Sequence, residues 1–317
     1  MLRVGIDIGA VNIDAGVVDE HGVIVARGSV RSRIGISEDE FCGDIAAAAK
    51  AAADAAGISL SDIDFVGIGC PGIVKVDSGR WELSANLGIA GLPLRDKMEA
   101  LLSLPVAIEN DANCAALGEA AFGAAAGARS ALVITLGTGV GGGIIVDGKI
   151  FSGINGIAGE VGHMTLFPGG EECSCGRLGC LEAYCSASAL KRQIRRAMEI
   201  SPESEMWRIA GALDKVHGWT AFEAMRRGDA AATLVVESYI YYLAEGLVNC
   251  VNLLQPEIIC ISGGASNEGD DLIIPLREQV ARRHFGSGRI RSAEVVRAKL
   301  QDDATIIGAS LLQEARG

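Results

Sequence analysis

Basic runs and long apolar runs are both missing from this sequence. No stretch holds more than two consecutive Lys or Arg residues, and the formal net charge is -12, so the electrostatic footprint of a nucleic-acid binder is absent. No window of about eighteen uninterrupted apolar residues occurs, and Met1 leads straight into a strand pattern rather than into a basic and then apolar leader. We therefore expect no nucleic-acid partner, no membrane partner and a cytoplasmic location.

Cysteine is present in an odd number and is mostly scattered, which argues against a disulfide framework. Of the nine cysteines, six stand singly in apolar segments, where a reduced and buried thiol is the ordinary role. These six are Cys42, Cys70, Cys114, Cys185, Cys250 and Cys260. The other three are crowded into one loop and need a separate explanation.

Strand and helix patterns alternate along the chain, and one strand unit occurs twice. The first copy reads LRVGIDI, NIDAGVVD and GVIVARGSV, which predicts a strand, a tight turn and a hairpin. The second copy, about 130 residues later, reads ALVITLGTGVGGGIIVDGKI, with Asp147-Gly148 as a type I′ turn. Helical segments such as SEDEFCGDIAAAAKAAADAAG separate the strands. The pattern predicts an α/β fold with two similar halves and a hinge near residues 112–122.

The crowded cysteines lie in GEVGHMTLFPGGEECSCGRLGCLE. His163, Cys173, Cys175 and Cys180 are spaced H-x9-C-x-C-x4-C, which is a plausible tetrahedral Cys3His set for a structural Zn²⁺. Two alternatives stay open, namely that Cys185 replaces His163 as the fourth ligand, or that these are ordinary reduced thiols. A metal-stiffened loop would hold flanking carboxylates in fixed directions as acceptors for a polyol.

Two further patterns suggest chemistry at the ends of strands. In PVAIENDANCAALGE, Asn110 and Asp111 stand where a strand ends and a helix begins, the position at which α/β folds place ligands. Asp111 is either a helix cap or a general base that accepts a hydroxyl proton. The glycine-rich turns DIGAVN, LGTGVGGG and ISGGASNEG follow strands, and their backbone amides suit phosphate oxygens. A Walker-type phosphate loop is absent.

With these residues in view, the chain resembles the ROK (repressor, open reading frame, kinase) sugar kinases, in their bacterial glucokinase branch. ENDANCAALGE, TLGTGVGGGIIVDGKI, GIAGEVGHM and CSCGRLGCLEA occur in the family's order and spacing. The resemblance implies an actin-like ATPase fold, with two ribonuclease-H-like domains around a cleft. We accordingly expect one domain at residues 1–115, joined by a C-terminal helix at 302–317, and a second at 116–301 that carries the zinc loop.

The resemblance also implies roles for individual residues. Asp111 would be the catalytic base in the transfer of phosphate from ATP to the 6-hydroxyl of glucose. The sugar-binding residues would be Gly72, Asn86, Asn110, Asp111, Glu160, His163 and Glu182. The nucleotide-binding residues would be Asp7, Gly9, Asn12, Thr138, Gly139, Gly263 and Gly264. Asp7 would orient Mg²⁺ through water, and a homodimer is implied.

One turn departs from the family pattern. The first phosphate turn normally reads Asp-x-Gly-Gly-Thr, whereas here Ala10 and Val11 follow Gly9. If position 10 needs a positive φ, alanine there costs on the order of 1 kcal/mol. Val11 cannot offer phosphate the threonine hydroxyl, which is worth about 1.5 to 3 kcal/mol. Weak activity, a different phosphoryl donor or a sugar-binding pseudokinase therefore remain open.

The identity of the sugar and the class of protein also stay open. N-acetylmannosamine, N-acetylglucosamine, allose and fructose are alternative sugars to glucose, because the motifs specify a polyol more firmly than its substituents. A sugar-responsive repressor of the same family would need a helix-turn-helix of roughly 60 to 80 residues, whereas the first strand here begins at Leu2.

Overall fold

The computed structural model describes residues 1–314. Its strands are β1 (Arg3–Ile8), β2 (Asn12–Val18), β3 (Ile24–Arg31), β4 (Phe65–Cys70), β5 (Ile73–Lys75), β6 (Arg80–Ser84), β7 (Ile89–Leu92), β8 (Val106–Asn110), β9 (Ser130–Leu136), β10 (Val140–Val146), β11 (Lys149–Ile150), β12 (Ile258–Ser262) and β13 (Glu294–Arg297). Its α-helices are α1 (Glu38–Ala56), α2 (Leu94–Leu102), α3 (Asp111–Ala121), α4 (Glu182–Cys185), α5 (Ala187–Ile200), α6 (Glu205–Ala210), α7 (Trp219–Arg226), α8 (Ala230–Leu254), α9 (Asp270–Arg283) and α10 (Ala304–Ser310).

Two five-stranded sheets repeat one strand order, as the sequence repeat predicts. The first sheet has the order β3-β2-β1-β4-β8 and the second has the order β11-β10-β9-β12-β13. In the first, β1 pairs with β2 antiparallel and with β4 parallel, and β8 is parallel to β4. In the second, β12 and β13 are parallel. A third sheet, β5-β6-β7, has three short strands that the sequence patterns did not predict.

The chain divides into two compact units. Unit 1 comprises Met1–Val133, Gly143–Gly159 and the segment from Lys299 onward, and unit 2 comprises Ile134–Gly142 and Glu160–Ala298. The predicted boundary between residues 115 and 116 falls inside α3, which is a continuous helix within unit 1. The predicted hinge at 112–122 stays a prediction.

Local sequence signals account for the first long helix. Ser37 and Glu40 form the predicted capping box at the start of α1, and Gly57 ends the helix with a left-handed φ of 70°. The face that carries Phe41, Ile45 and Ala52 is buried in the core of unit 1.

Glycines inside two strands make room for the last helix. A Cβ on Gly5 would lie 1.8 Å from the carbonyl oxygen of Ile306, and a Cβ on Gly67 would lie 1.8 Å from that of Ala309. The backbone of α10 therefore packs directly on β1 and β4 in unit 1. The predicted helix at 302–317 is observed only as a 3-10 turn at Gln301–Asp303 and α10, and residues 315–317 lie outside the described part of the chain.

A buried carboxylate ties α3 to the segment that precedes α10. The side chain of Glu119 is fully buried and accepts the backbone N–H groups of Ala124 (2.7 Å), Lys299 (3.2 Å) and Leu300 (2.7 Å). Three charge-assisted hydrogen bonds compensate the cost of burying this carboxylate. None of the helices described over residues 1–314 combines the length and the apolar character required to cross a membrane.

Candidate functional site

The first glycine turn leaves the end of β1 and is closed by its own backbone. The N–H of Gly9 donates to the Asn12 carbonyl (2.8 Å), and the hydroxyl of Ser32 donates to the Gly9 carbonyl (2.6 Å). Ala10 does not take a positive φ, so alanine at this position carries no left-handed strain. Val11 is 68% exposed at the turn, where it presents an apolar side chain to solvent.

Carboxylates gather around the end of β1. Burial, followed by the charges of Asp111, Asp14 and Asp302, raises the pKa of Asp7 to about 7. The sequence patterns did not single out Asp14 and Asp302, because neither stands in a glycine turn or at a strand end of the first sheet. Crowded oxygen ligands of this kind suit a hard divalent cation such as Mg²⁺, whose charge relieves the repulsion.

Asn110 and Asp111 lie at the predicted strand-to-helix junction. Asn110 is the cap of α3, since its Oδ1 accepts the N–H groups of Ala112 (2.9 Å) and Asn113 (3.2 Å). Asp111 is the first residue of the helix, and its Oδ1 also accepts the Ala112 N–H at 2.9 Å. The capping role is thus carried mainly by Asn110, and the Asp111 carboxylate stands at the positive end of the helix dipole, partly exposed.

Gly72 lies beside this junction, and Asn86 lies in the turn between β6 and β7. Asn110 Nδ2 donates to the Gly72 carbonyl at 3.1 Å, which joins these two predicted sugar-site residues. Gly72 has a φ of 92°, and a Cβ there would lie 2.2 Å from the Leu83 carbonyl oxygen, so glycine is required at this position. Asn86 is exposed in the turn between β6 and β7, and no hydrogen bond described for residues 1–314 joins it to the other two.

In unit 2, the turn after β9 packs against a glutamate. Glu182 Oε2 accepts the Val140 N–H at 3.0 Å, and Oε1 accepts the Ser174 hydroxyl at 2.6 Å. A Cβ on Gly139 would lie 2.5 Å from Glu182 Oε2, so only glycine leaves this carboxylate in place. Thr138 is exposed at the tip of the turn, and its carbonyl accepts the Ser188 hydroxyl at 3.3 Å.

The predicted glycine pair after β12 lies beside the end of β9. Gly263 has a φ of 83°, and a Cβ there would lie 2.5 Å from the Leu136 carbonyl oxygen. Gly264 begins a 3-10 turn, Gly264–Glu268, whose Ser266 hydroxyl donates to the Gly263 carbonyl at 2.8 Å. The structure therefore brings Gly263 close to the turn that carries Thr138 and Gly139.

His163 and Glu160 are held on a short turn. Val161–His163 forms a 3-10 turn whose flanking residue, Glu160, is exposed. His163 Nε2 lies 3.9 Å from Glu160 Oε2, and the backbone carbonyl of His163 accepts a hydrogen bond from Arg177 at 3.1 Å.

The predicted metal ligands converge. The ligand atoms of His163, Cys173, Cys175 and Cys180 all lie within 4.8 Å of one another. Cys173 Sγ lies 3.5 Å from His163 Nδ1, and Cys175 Sγ lies 3.8 Å from Cys180 Sγ. Tetrahedral zinc, with bonds of about 2.3 Å to sulfur and about 2.1 Å to nitrogen, requires separations of about 3.8 Å between sulfurs and about 3.6 Å between sulfur and nitrogen. The donor set therefore fits zinc.

The loop around these ligands is built on turns that require glycine. Gly176 and Gly179 have φ values of 83° and 82°, and a Cβ on Gly179 would lie 1.6 Å from the Phe167 carbonyl oxygen. Bridges between Thr165 and Cys180 and between Glu172 and Leu178 close the loop. Cys185 lies buried in α4, outside the cluster, so the alternative ligand set with Cys185 is not supported.

Comparisons with known proteins identify the family. The chain matches the model described as ROK family over residues 3–316, and it belongs to that family. A glucokinase from Halalkalibacterium halodurans is 38% identical over 98% of this chain and 94% of its own length. A putative xylose repressor from Caldicellulosiruptor sp. is 32% identical over 97% of this chain and 76% of its own length.

A solved structure agrees with the fold. A ROK family glucokinase from Streptomyces griseus, in complex with glucose and AMPPNP, matches with a TM-score of 0.85 at 35% identity and covers 98% of this chain and 99% of that one. The predicted α/β class and actin-like ATPase fold are thereby confirmed, and so is the resemblance to the sugar kinases of this family.

Proposed function

We propose that this protein is a glucokinase, which transfers the terminal phosphoryl group of ATP to the 6-hydroxyl of glucose. The observation that carries the proposal is similarity to glucokinases over nearly the whole chain, at 38% identity in sequence and a TM-score of 0.85 in structure. The reaction requires a base for the sugar hydroxyl and a cradle for the phosphates, and the chain has candidate residues for both.

Asp111 is assigned as the general base. It stands at the strand-to-helix junction, where it is partly exposed, and its charge contributes to the raised pKa of Asp7. A carboxylate in this position can accept the proton of the sugar hydroxyl as that hydroxyl attacks phosphorus. Asn110, by capping α3 and holding the Gly72 carbonyl, keeps the Asp111 backbone in place.

The nucleotide phosphates are assigned to the glycine turns that carry Asp7, Gly9, Asn12, Thr138, Gly139, Gly263 and Gly264. Mg²⁺ would supply charge neutralisation for the phosphates when bound. Asp7 is the residue assigned to hold it, through water, because the acidic cluster around Asp7 suits a divalent cation.

The sugar is assigned to Gly72, Asn86, Asn110, Glu160, His163 and Glu182. When zinc is bound by His163 and the three cysteines, the loop would hold His163 Nε2 and Glu182 in fixed directions as polyol contacts. Glu182 already accepts hydrogen bonds from the Val140 N–H, the Ser174 hydroxyl and the Cys173 thiol, so its carboxylate is oriented in advance of any sugar. The homodimer and the cytoplasmic location remain predictions.

One observation favours a second candidate, a sugar-binding pseudokinase. Val11 replaces the family's threonine and exposes an apolar side chain at the first phosphate turn. Without the threonine hydroxyl as a donor to phosphate, we expect slower phosphoryl transfer. Ala10 adds no left-handed backbone strain to this turn.

A coupled assay of ADP release with Mg-ATP tests the proposal on glucose, mannose, fructose, allose, N-acetylglucosamine and N-acetylmannosamine. Asp111→Asn should lower kcat by about 10²- to 10⁴-fold, with the glucose Kd changed by less than about fivefold, because the base is lost while the binding contacts remain. Asp77→Asn, at an exposed site on the loop after β5, is the matched control.

Turnover on one sugar would identify the substrate. Glucose binding without turnover by the wild-type protein would favour the pseudokinase. A near-normal kcat in Asp111→Asn would remove Asp111 from the role of base.

A further inference from the structure

A groove between α5 and α8 in unit 2 is not used by the proposed reaction. Its volume is about 380 Å³, and we call it the α5–α8 groove. Ala197 and Ile200 of α5 and Leu234 of α8 are apolar residues of its walls, and Tyr184 and Tyr242 also line it. Ile200 is 81% exposed and Leu234 is 65% exposed, so these walls stand open to solvent. A volume of this size matches small-molecule pockets.

Two arginine side chains that line the groove are ion-paired to Glu171. Arg196 Nη1 lies 2.7 Å from Glu171 Oε1, and Arg192 Nε lies 3.6 Å from Glu171 Oε2. Arg192 also donates to the Ala183 carbonyl at 2.5 Å. Among the charged residues that line the groove, two guanidinium groups and one carboxylate leave a net charge of +1, and Glu199 acts on Arg196 from outside the lining. Because these side chains are already held by protein partners, an anion entering the groove meets preorganised donors.

The groove shares residues with the loop that carries the three predicted cysteine ligands, residues 164–181, here called the Cys-rich loop. Tyr184 accepts the Glu171 backbone N–H at 2.8 Å, so a groove residue is bonded directly to this loop. The ring of Phe167, in the same loop, packs on Tyr184 and Tyr242 with centroid distances of 5.1 and 5.6 Å. Tyr184 also lies two residues beyond Glu182, on the same short helix, α4.

We propose that the α5–α8 groove binds a small amphipathic anion, with an aromatic or acyl body and a carboxylate, sulfonate or phosphate group, and that its occupancy shifts sugar affinity through the Cys-rich loop. The apolar walls take the body and the arginine side takes the charge. The coupling to sugar rests on the proposed function, whereas binding in the groove does not.

The probe is 8-anilinonaphthalene-1-sulfonate, an amphipathic anion whose fluorescence rises at apolar sites. Titration of the full chain should show one saturable site. Leu234→Gln and Arg196→Gln should each raise the Kd of the dye about tenfold. The first removes an apolar contact to the aromatic body, and the second removes a positive charge opposite the sulfonate. Leu253→Gln and Arg195→Gln are matched controls on the same two helices outside the groove, and they should leave the Kd unchanged.

The neutral analogue N-phenyl-1-naphthylamine should bind about tenfold more weakly than the sulfonate. Equal affinities of the two dyes would overturn the anion assignment. Equal Kd values across all four variants would show that the dye binds elsewhere and would overturn the site. A third outcome combines two results: the wild-type protein binds no dye, and the Leu234→Gln variant sediments as a smaller species than the wild type. Together they would show that a second copy of the chain occupies the groove and would overturn the proposal.

Coupling is tested by reciprocity, which needs no catalysis. Saturating glucose should shift the dye Kd by about fivefold or more, and saturating dye should shift the glucose Kd by the same factor. Unchanged constants would overturn the coupling. If glucose does not bind at all, the proposed function fails, whereas the dye titrations still decide whether the groove is a site.

Discussion

The acidic cluster at the end of β1 predicts that Asp7→Asn changes how stability depends on pH. Burial and the charges of Asp111, Asp14 and Asp302 raise the pKa of Asp7 from 3.8 to about 7. The folded protein therefore holds a proton on this carboxyl more tightly than the unfolded chain does. The stabilisation that this proton provides is fully present below about pH 4 and is lost as the pH rises through about 7.

The size of the effect follows from the shift in pKa. A displacement of about three pKa units at about 1.4 kcal/mol each gives an upper limit of about 4 kcal/mol. Asp7 retains some solvent exposure, which screens its neighbours' charges, so we expect a loss of about 2 to 4 kcal/mol between pH 4 and pH 8. Asp7→Asn carries no charge at either pH and removes this contribution.

Urea unfolding in Mg²⁺-free buffer at several values between pH 4 and pH 8 measures the effect. The wild-type free energy of unfolding should fall by about 2 to 4 kcal/mol relative to that of Asp7→Asn, with the variant the more stable at pH 8. Asp96→Asn, at a site that is 70% exposed, should follow the wild-type curve. Parallel curves for wild type and Asp7→Asn would refute the reasoning, because the pH dependence would then belong to other groups.

Three further predictions concern buried or crowded groups. Glu119→Gln should lower the free energy of unfolding in urea by about 3 kcal/mol, because an amide nitrogen would face a backbone N–H; a loss below about 0.5 kcal/mol would contradict this. Gly139→Ala should raise the KM for the sugar about tenfold or more in a folded protein, because its Cβ would displace the Glu182 carboxylate; an unchanged KM would remove that carboxylate from the sugar site. Cys180→Ser should lose zinc in metal analysis and unfold at a lower temperature, whereas Cys185→Ser should keep its zinc; equal zinc contents would exclude the predicted ligand set.

Much of the local structure was predictable because its causes lie within a few residues. The capping box at Ser37 and the left-handed Gly57 place both ends of α1, and Asp147 and Gly148 take the positive φ values of the expected turn. The Cys and His spacing likewise predicted a cluster that the structure brings together. Caps, turns and ligand spacings of this kind can be predicted from the order of nearby residues, and the structure has these features where the sequence predicts them.

Segments without such signals were not predicted. The strands β5, β6 and β7 have three to five residues each and no clear alternation, so their pairing depends on packing in unit 1. The predicted boundary between residues 115 and 116 falls inside α3, because a strand-to-helix junction has the same appearance in sequence whether or not a compact unit ends there.

By itself, the sequence determined the α/β class, the repeated strand unit, the ends of the principal helices and which four residues form the Cys3His cluster. Only the tertiary structure decided that Ala10 is unstrained, that Asn110 rather than Asp111 is the main helix cap, and that Glu119 joins α3 to residues 299–300. It also decided which carboxylates crowd Asp7. These outcomes depend on backbone angles and on groups far apart in the chain, because electrostatic and packing energies follow distance in space rather than separation in sequence.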